Sequence, residues 1–357
     1  MEVLIPMERQ PMENKTKYLA MNYLRVLAFA FIIVYHFMVE LEQKGNYNFL
    51  EKGTVYYSNS NLHIAIIGVS LFFMISGAGL MLSSKKHWDI KDFYKRRFIK
   101  LLIPFYVVEL FTLVASYVLK PEWLGYFPLI AKPKAIFNLL GMDGYFEQFF
   151  PTFSLHVGEW FLGALIMLYA LFPVFRYCME KNRYITILVA TIYYVVLIFG
   201  NVITTSPWTN VFVKAYDFIL GMFLILEIPR LMDKKAFKVT SLVVSAVVIL
   251  TGIVLKTQLP TPITVNNLVY ALMLFICFFA LEPTQASKNF FDDLSQQICK
   301  ISYEVFLVHH IIIYYIGDNL EGRAMGLKQI SALFATEVFI MIAMALLVKN
   351  IVALIKK

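Results

Sequence analysis

Ten apolar runs of about 20 residues, each long enough for one membrane crossing, follow one another from residue 18 to the C-terminal end. They lie near residues 18–39, 62–82, 101–119, 157–176, 184–204, 208–228, 238–256, 265–282, 301–317 and 329–354. Backbone amides and carbonyls in hydrocarbon have no water to bond, so runs of this kind must satisfy them internally as helices. The expected fold is therefore all-α and integral to a membrane, with about ten transmembrane helices. No polar block between the runs is long enough for a separate unit, so residues 1–357 read as a single membrane domain without an appended extracytoplasmic one. Composition agrees: 59% of the residues are hydrophobic and 16% charged, against roughly half and about 25% in a globular chain. The first run has too long an apolar core for a cleaved signal peptide, and no small-residue cleavage site follows it.

A net charge of +8 would suggest nucleic acid or anionic lipid as the partner of a soluble protein. In a membrane protein it reflects loops rich in Lys and Arg on the cytoplasmic side. The N-terminus, alternate loops and the run ends beside them carry 22 Lys and Arg against 8 on the other side, which puts both termini, residues 1–17 included, in the cytoplasm. Most of the excess comes from SSKKHWDIKDFYKRRFIK, residues 83–100, and PRLMDKKAFK, residues 229–238. The longest loop, within residues 120–156, then faces outward and contains EWLGYFPLI and DGYFEQFFPTF. Such aromatic pieces form either a headgroup-level belt, the reading favoured by sequence, or a segment roofing a cavity. Cys178, Cys277 and Cys299 show no metal-ligand or disulfide spacing, and no metal is expected. No internal repeat of the kind that marks many transporters is evident.

The first run, NYLRVLAFAFIIVYHF, carries Arg25 and His36. At about 100° per residue their separation is three turns and about 20°, so both project from one helix face, about 16.5 Å apart along the axis. Arg25 falls toward the cytoplasm and His36 toward the exterior. Two readings stand: both are interfacial residues that snorkel, or their face lines a polar interior. Further ionisable residues within the runs favour the interior. Glu109 lies mid-run; Lys214 and Asp217 stand three apart, able to pair; His309 and His310 lie mid-run in ISYEVFLVHHIIIYY, and only one of these neighbours is expected to face a given site. Glu159 opens the fourth run at the level of His36, where a carboxylate that orients an imidazole makes a competent general base. Lys95, Arg96, Arg97 and Lys100 open the third helix, either as a positive-inside anchor or as forks for phosphate.

In order along the chain, LRVLAFAFIIVYH, GVSLFFMISGAGLML, FYKRRFIKLLIPFY, WFLGALIMLYALFP and ISYEVFLVHHIII resemble acyltransferase family 3, the multi-pass acyltransferases that modify cell-envelope glycans. The resemblance covers essentially the whole chain. It implies ten core helices, acetyl-CoA as the usual cytoplasmic donor and O-acetyl transfer to a sugar. The family's arginine and histidine in the first helix fall on Arg25 and His36. Its arginine, two residues, arginine motif falls on Arg97 and Lys100, where lysine keeps the charge and loses the bidentate fork. The resemblance also singles out Ser76 and Gly77, the stretch around Trp160, and Tyr303 with His309 or His310. Glu159 occurs in only part of the family.

The function expected is O-acetyl transfer from cytoplasmic acetyl-CoA to a hydroxyl of an envelope polysaccharide or its lipid-linked precursor, in a bacterial plasma membrane. In this reading Arg96, Arg97 and Lys100 hold the nucleotide phosphates and Arg25 meets the arm or its pyrophosphate. His36, oriented by Glu159, is either general base or covalent carrier. The alternatives are a transporter or flippase for a small metabolite or lipid-linked sugar, and the same fold using another acyl-CoA such as succinyl-CoA. Membrane lipid is an expected partner and nucleic acid is not; the sequence is silent on oligomeric state.

Overall fold

The computed structural model describes residues 18–52, 58–84, 88–119, 135–152, 157–200, 202–255, 257–282 and 289–356. Among them the chain is helical, with one isolated antiparallel bridge between Ser58 and His63. Helices α1 (Leu19–Gln43), α2 (Phe49–Lys52), α3 (Ile64–Ser83), α4 (Ile90–Leu119), α5 (Ala135–Leu139) and α6 (Asp143–Phe146) form the first part. The rest comprises α7 (Glu159–Phe199), α8 (Val211–Met232), α9 (Lys235–Val254), α10 (Ile263–Leu281), α11 (Phe290–Cys299), α12 (Ser302–Leu320) and α13 (Leu327–Ile355). Seven of these, α1, α3, α4, α7, α9, α10 and α13, are long and apolar enough to cross a membrane.

Burial sorts them. The apolar stretch of α3 is 72% buried, against 17% for α9 and 22% for α13, so α3 is the hub and the other two present apolar faces outward. Helix α8 packs along α3 at a spacing that only glycine permits. A side-chain carbon on Gly77 would collide with the Phe218 carbonyl, and one on Gly221 with the Met74 carbonyl. At the same interface Lys214 Nζ lies 2.9 Å from Asp217 Oδ2 and donates to Ser70 Oγ at 3.1 Å, so the expected pair ties α8 to α3. Both side chains are fully buried, which fits a structural role.

Helix α7 spans 41 residues with one break, at Asn182, whose φ and ψ of −159° and 97° are non-helical. Asn182 Oδ1 accepts from Tyr184 N and Ile185 N, both at 3.1 Å, and so caps the second half as a new helix. This break falls between the fourth and fifth expected spans.

Two devices fix α1. Its first amide, Leu19 N, donates to Glu282 Oε1 at 2.7 Å, a carboxylate placed at the positive end of the helix. Beyond its other end Lys44 pairs with Asp318 at 2.6 Å, and Asn46 Nδ2 donates to the Leu320 and Arg323 carbonyls at 2.6 and 2.9 Å. These contacts pin α1 against α12 and thereby set the register between His36 and the α12 histidines.

Two parts depart from the sequence reading. Helix α11 was not anticipated, because it is amphipathic rather than apolar; its signature is the capping box of Asn289 with Asp292. Its Asp292 Oδ1 accepts from Tyr23 OH at 2.5 Å, which anchors it beside α1. In the long loop, EWLGYFPLI lies outside the described residues, but the DGYFEQFFPTF portion does more than form a belt. Asp143 and Tyr145 are buried, Thr152 Oγ1 donates to the Asp143 carbonyl at 3.0 Å, and Gly144 packs on the backbone of Glu159. The piece therefore roofs the start of α7. Glu109, the ionisable residue in the middle of the third run, lies on α4, and its Oε1 accepts from Asn138 Nδ2 of α5 at 3.0 Å.

Candidate active site

His36 stands seven residues before the end of α1, and the α12 histidines reach it from across the helix pair. His310 Nε2 lies 2.8 Å from His36 Nδ1. His310 Nδ1 lies 2.9 Å from Glu159 Oε1 on α7, which also accepts from Tyr314 OH at 3.4 Å. The directions of the protons follow from the acceptors. A carboxylate oxygen faces His310 Nδ1, so that nitrogen carries the proton and the Nε2 lone pair points at His36. His36 then donates from Nδ1, and its Nε2 lone pair is left to act as a base. The expected contact between Glu159 and His36 is thus not direct: His310 stands between them, because Glu159 enters from the α12 side of the site.

His309 also turns inward, contrary to the expectation that one of two neighbours must face away. Its ring centroid is 5.5 Å from that of His36, and the two α12 rings are 4.1 Å apart. Both are buried, and their ring centroids lie 3.9 Å (His310) and 5.5 Å (His309) from that of His36. His309 Nδ1 donates to the Phe306 carbonyl at 2.6 Å, which leaves Nε2 with a lone pair and no hydrogen-bond partner.

Each of these three histidines offers a ligand atom, all within 4.8 Å of one another, and together they are the group that a metal ion would use among the described residues. The 2.8 Å separation of His36 Nδ1 and His310 Nε2 is that of nitrogens sharing a proton. Two imidazoles on one tetrahedral zinc, with bonds of about 2.0–2.1 Å, hold their nitrogens roughly 3.3 Å apart. That contact is a hydrogen bond between His310 and His36.

Glu159 is placed under strain. It is the one non-glycine with positive φ among the described residues, at 41°, and follows Gly158 at 72°. Such a conformation costs on the order of 1–3 kcal/mol and persists only where packing imposes it, here the Gly144 contact. Next to it Trp160 packs on Phe73 and Phe161, with centroids 6.5 and 6.1 Å away.

A cavity of about 720 Å³ opens at the end of the bundle where α1 begins and α13 ends. Its lining brings together Arg25, Ser76, Arg97, Lys100 and Tyr303, five of the residues singled out from sequence. Tyr303 OH donates to the Leu101 carbonyl at 2.8 Å, and Arg97 Nη2 to Ser83 Oγ at 3.0 Å. Arg96 is not among the lining residues; it pairs with Asp92 at 2.8 Å on an exposed face. One residue rotates a helix by about 100°, which separates Arg96 from its neighbour. At its inner end the cavity meets Phe72, Phe161 and Phe306, with Phe161 and Phe306 centroids 5.1 Å apart. The Phe306 ring also lies 5.6 Å from that of His309, so these rings stand between the cavity and the histidines.

Sequence reasoning missed Lys300 and Lys356, which also line the cavity, and Tyr314. The two lysines each sit just past a helix end and are indistinguishable from positive-inside anchors without the fold. Tyr314 lies four residues after His310, one turn along the same face, and that spacing was the available signal.

No curated protein and no solved structure matches the chain. The model of an acyltransferase domain, that of acyltransferase family 3, matches residues 18–353, nearly the whole sequence and all of the cavity and histidine residues except Lys356. The chain belongs to acyltransferase family 3.

Proposed function

We propose that this protein is a membrane O-acetyltransferase that takes an acetyl group from acetyl-CoA on the cytoplasmic side and delivers it to a hydroxyl of an envelope glycan or its lipid-linked precursor. The observation that carries the reading is the hydrogen-bonded row Glu159, His310, His36, parted from a cation-lined cavity by the rings of Phe161 and Phe306. The sidedness rests on the Lys and Arg balance, 22 against 8, which favours the cytoplasm for the cavity mouth and both termini; a bacterial plasma membrane is part of the proposal. Ten crossings follow if the two halves of α7 each span and if α8 and α12, whose charged residues face the interior, span with them.

In this mechanism Arg25 and Arg97 hold the donor's pyrophosphate with charge-assisted hydrogen bonds, and the thin arm runs past Ser76 toward the histidines. The phenylalanine side chains at the inner end yield to the arm as it enters. His36 Nε2 removes the proton of the acceptor hydroxyl while the oxygen attacks the thioester carbonyl. Collapse of the tetrahedral intermediate breaks the carbon–sulfur bond, and the thiolate leaves with the proton held by His36. His310 steadies the imidazolium that forms transiently, and Glu159 steadies His310. In this proposal His36 acts as the base, through the Nε2 that its bond to His310 leaves free.

The test is a mass spectrum of the envelope polysaccharide from cells with and without the protein, alongside His36→Ala. The reading requires an acetyl ester that disappears in both the deletion and the variant. A succinyl mass would change the donor, and an unmodified glycan with a transported metabolite would establish a transporter instead.

A further inference from the structure

Lys300 and Lys356 each have an ordinary local role. Each follows the last turn of a helix, α11 or α13, where a cation complements the negative end of the dipole. That role does not explain their convergence. They follow different helices, yet both line the cavity that already holds Arg25, Arg97 and Lys100, and among the described residues Glu304 is the one carboxylate on its lining. The positive charges of Arg97, Arg25 and Lys356 all bear on Lys100. Five cations around one acid repel one another unless an anion sits among them.

The cations form two tiers. Arg25 and Arg97 are half-buried, deeper in the cavity with Ser76, Tyr169 and Tyr303. Lys100, Lys300 and Lys356 are exposed and come from the start of α4, the end of α11 and the end of α13, with Gln296 beside them. Guanidinium forks suit the fixed geometry of a pyrophosphate, whereas flexible ammonium groups suit a freely rotating phosphate monoester. We infer that Lys100, Lys300 and Lys356 form a separate outer site for a phosphate monoester, the 3′-phosphate at the nucleotide end of an acyl-CoA donor. This rests on the donor proposed above and goes beyond it, because it selects free acyl-CoA over donors that present only a phosphodiester-linked pantetheine arm.

The experiment compares acetyl-CoA with acetyl-3′-dephospho-CoA as donors for the purified full chain, in detergent and in nanodiscs of neutral or anionic lipid. Wild-type protein is expected to show a KM about tenfold lower for acetyl-CoA than for the dephospho donor, in line with charge-assisted contacts at an exposed site. In Lys356→Gln and in Lys300→Gln the two KM values converge, with thermal stability unchanged, since both side chains are exposed. Equal use of the two donors by wild-type protein overturns the inference while leaving the proposed function intact. Convergence that occurs only in anionic nanodiscs assigns the lysines to lipid headgroups and also overturns it. Transfer from neither donor defeats the proposed function itself.

Discussion

Replacing Glu159 probes the row of hydrogen bonds at its far end. His310 Nδ1 donates to Glu159 Oε1 at 2.9 Å, and the bond strengthens when His36 takes the substrate proton and the row carries positive charge. A hydrogen bond to a charged group is worth about 1.5–3 kcal/mol, or roughly 10- to 150-fold in rate at 1.36 kcal/mol per decade. The Glu159 side chain is 21% exposed and acts on the base through His310, so screening places the loss near the lower bound, at about 10- to 30-fold. Glu159→Gln keeps an acceptor of the same shape and should lower kcat by that amount. Its KM for acetyl-CoA should not move, because Glu159 is not among the residues lining the donor cavity. Steady-state transfer from labelled acetyl-CoA reads both parameters. The sharper arm is a double-mutant cycle with His310→Gln: once His310 is gone, removing the carboxylate should cost nothing further. Fully additive losses, or a loss confined to the donor KM, would refute the relay.

Three further outcomes are expected. Arg97→Gln should raise the KM for acetyl-CoA about tenfold, whereas Arg96→Gln, removing an exposed pair with Asp92, should change it less than about twofold. Phe306→Ala should open the inner end of the cavity and admit water, seen as acetyl-CoA hydrolysis in the absence of acceptor above the wild-type rate. Gly221→Val drives a side chain into the Met74 carbonyl and should destabilise the α3 and α8 pair by about 1–3 kcal/mol, lowering the unfolding temperature in detergent by several degrees.

The helical fold and its seven helices of membrane length were legible because hydrocarbon demands a continuous apolar run, and the break in α7 fell where two runs were expected, at Asn182. Helix α11 escaped because a surface helix needs only one apolar face, and its Asn289 and Asp292 cap is a weaker signal than a hydropathy maximum. Within the site, the common face of Arg25 and His36 was readable from their spacing, since the geometry of one helix fixes it; that this face lines a polar interior was not, and rested on the other ionisable residues and on the family resemblance. His310 was not. Its place between His36 and Glu159 depends on the register of α12 against α1, set by Lys44, Asn46 and Asp318 across more than 270 residues of sequence. Arg96 and Arg97 differ for the same reason: charge is legible in a sequence, but the direction in which a charge faces requires the helix's neighbours.

The central claim is that His36 serves as the base for acetyl transfer from a donor on one side of the membrane to an acceptor on the other. Its most direct test uses proteoliposomes that separate acetyl-labelled acetyl-CoA from envelope glycan, with the cavity end of the protein facing the donor. The account predicts labelled ester on the glycan with wild-type protein and none with His36→Ala, while both bind acetyl-CoA with the same affinity. Labelled glycan formed at the wild-type rate by His36→Ala would contradict it.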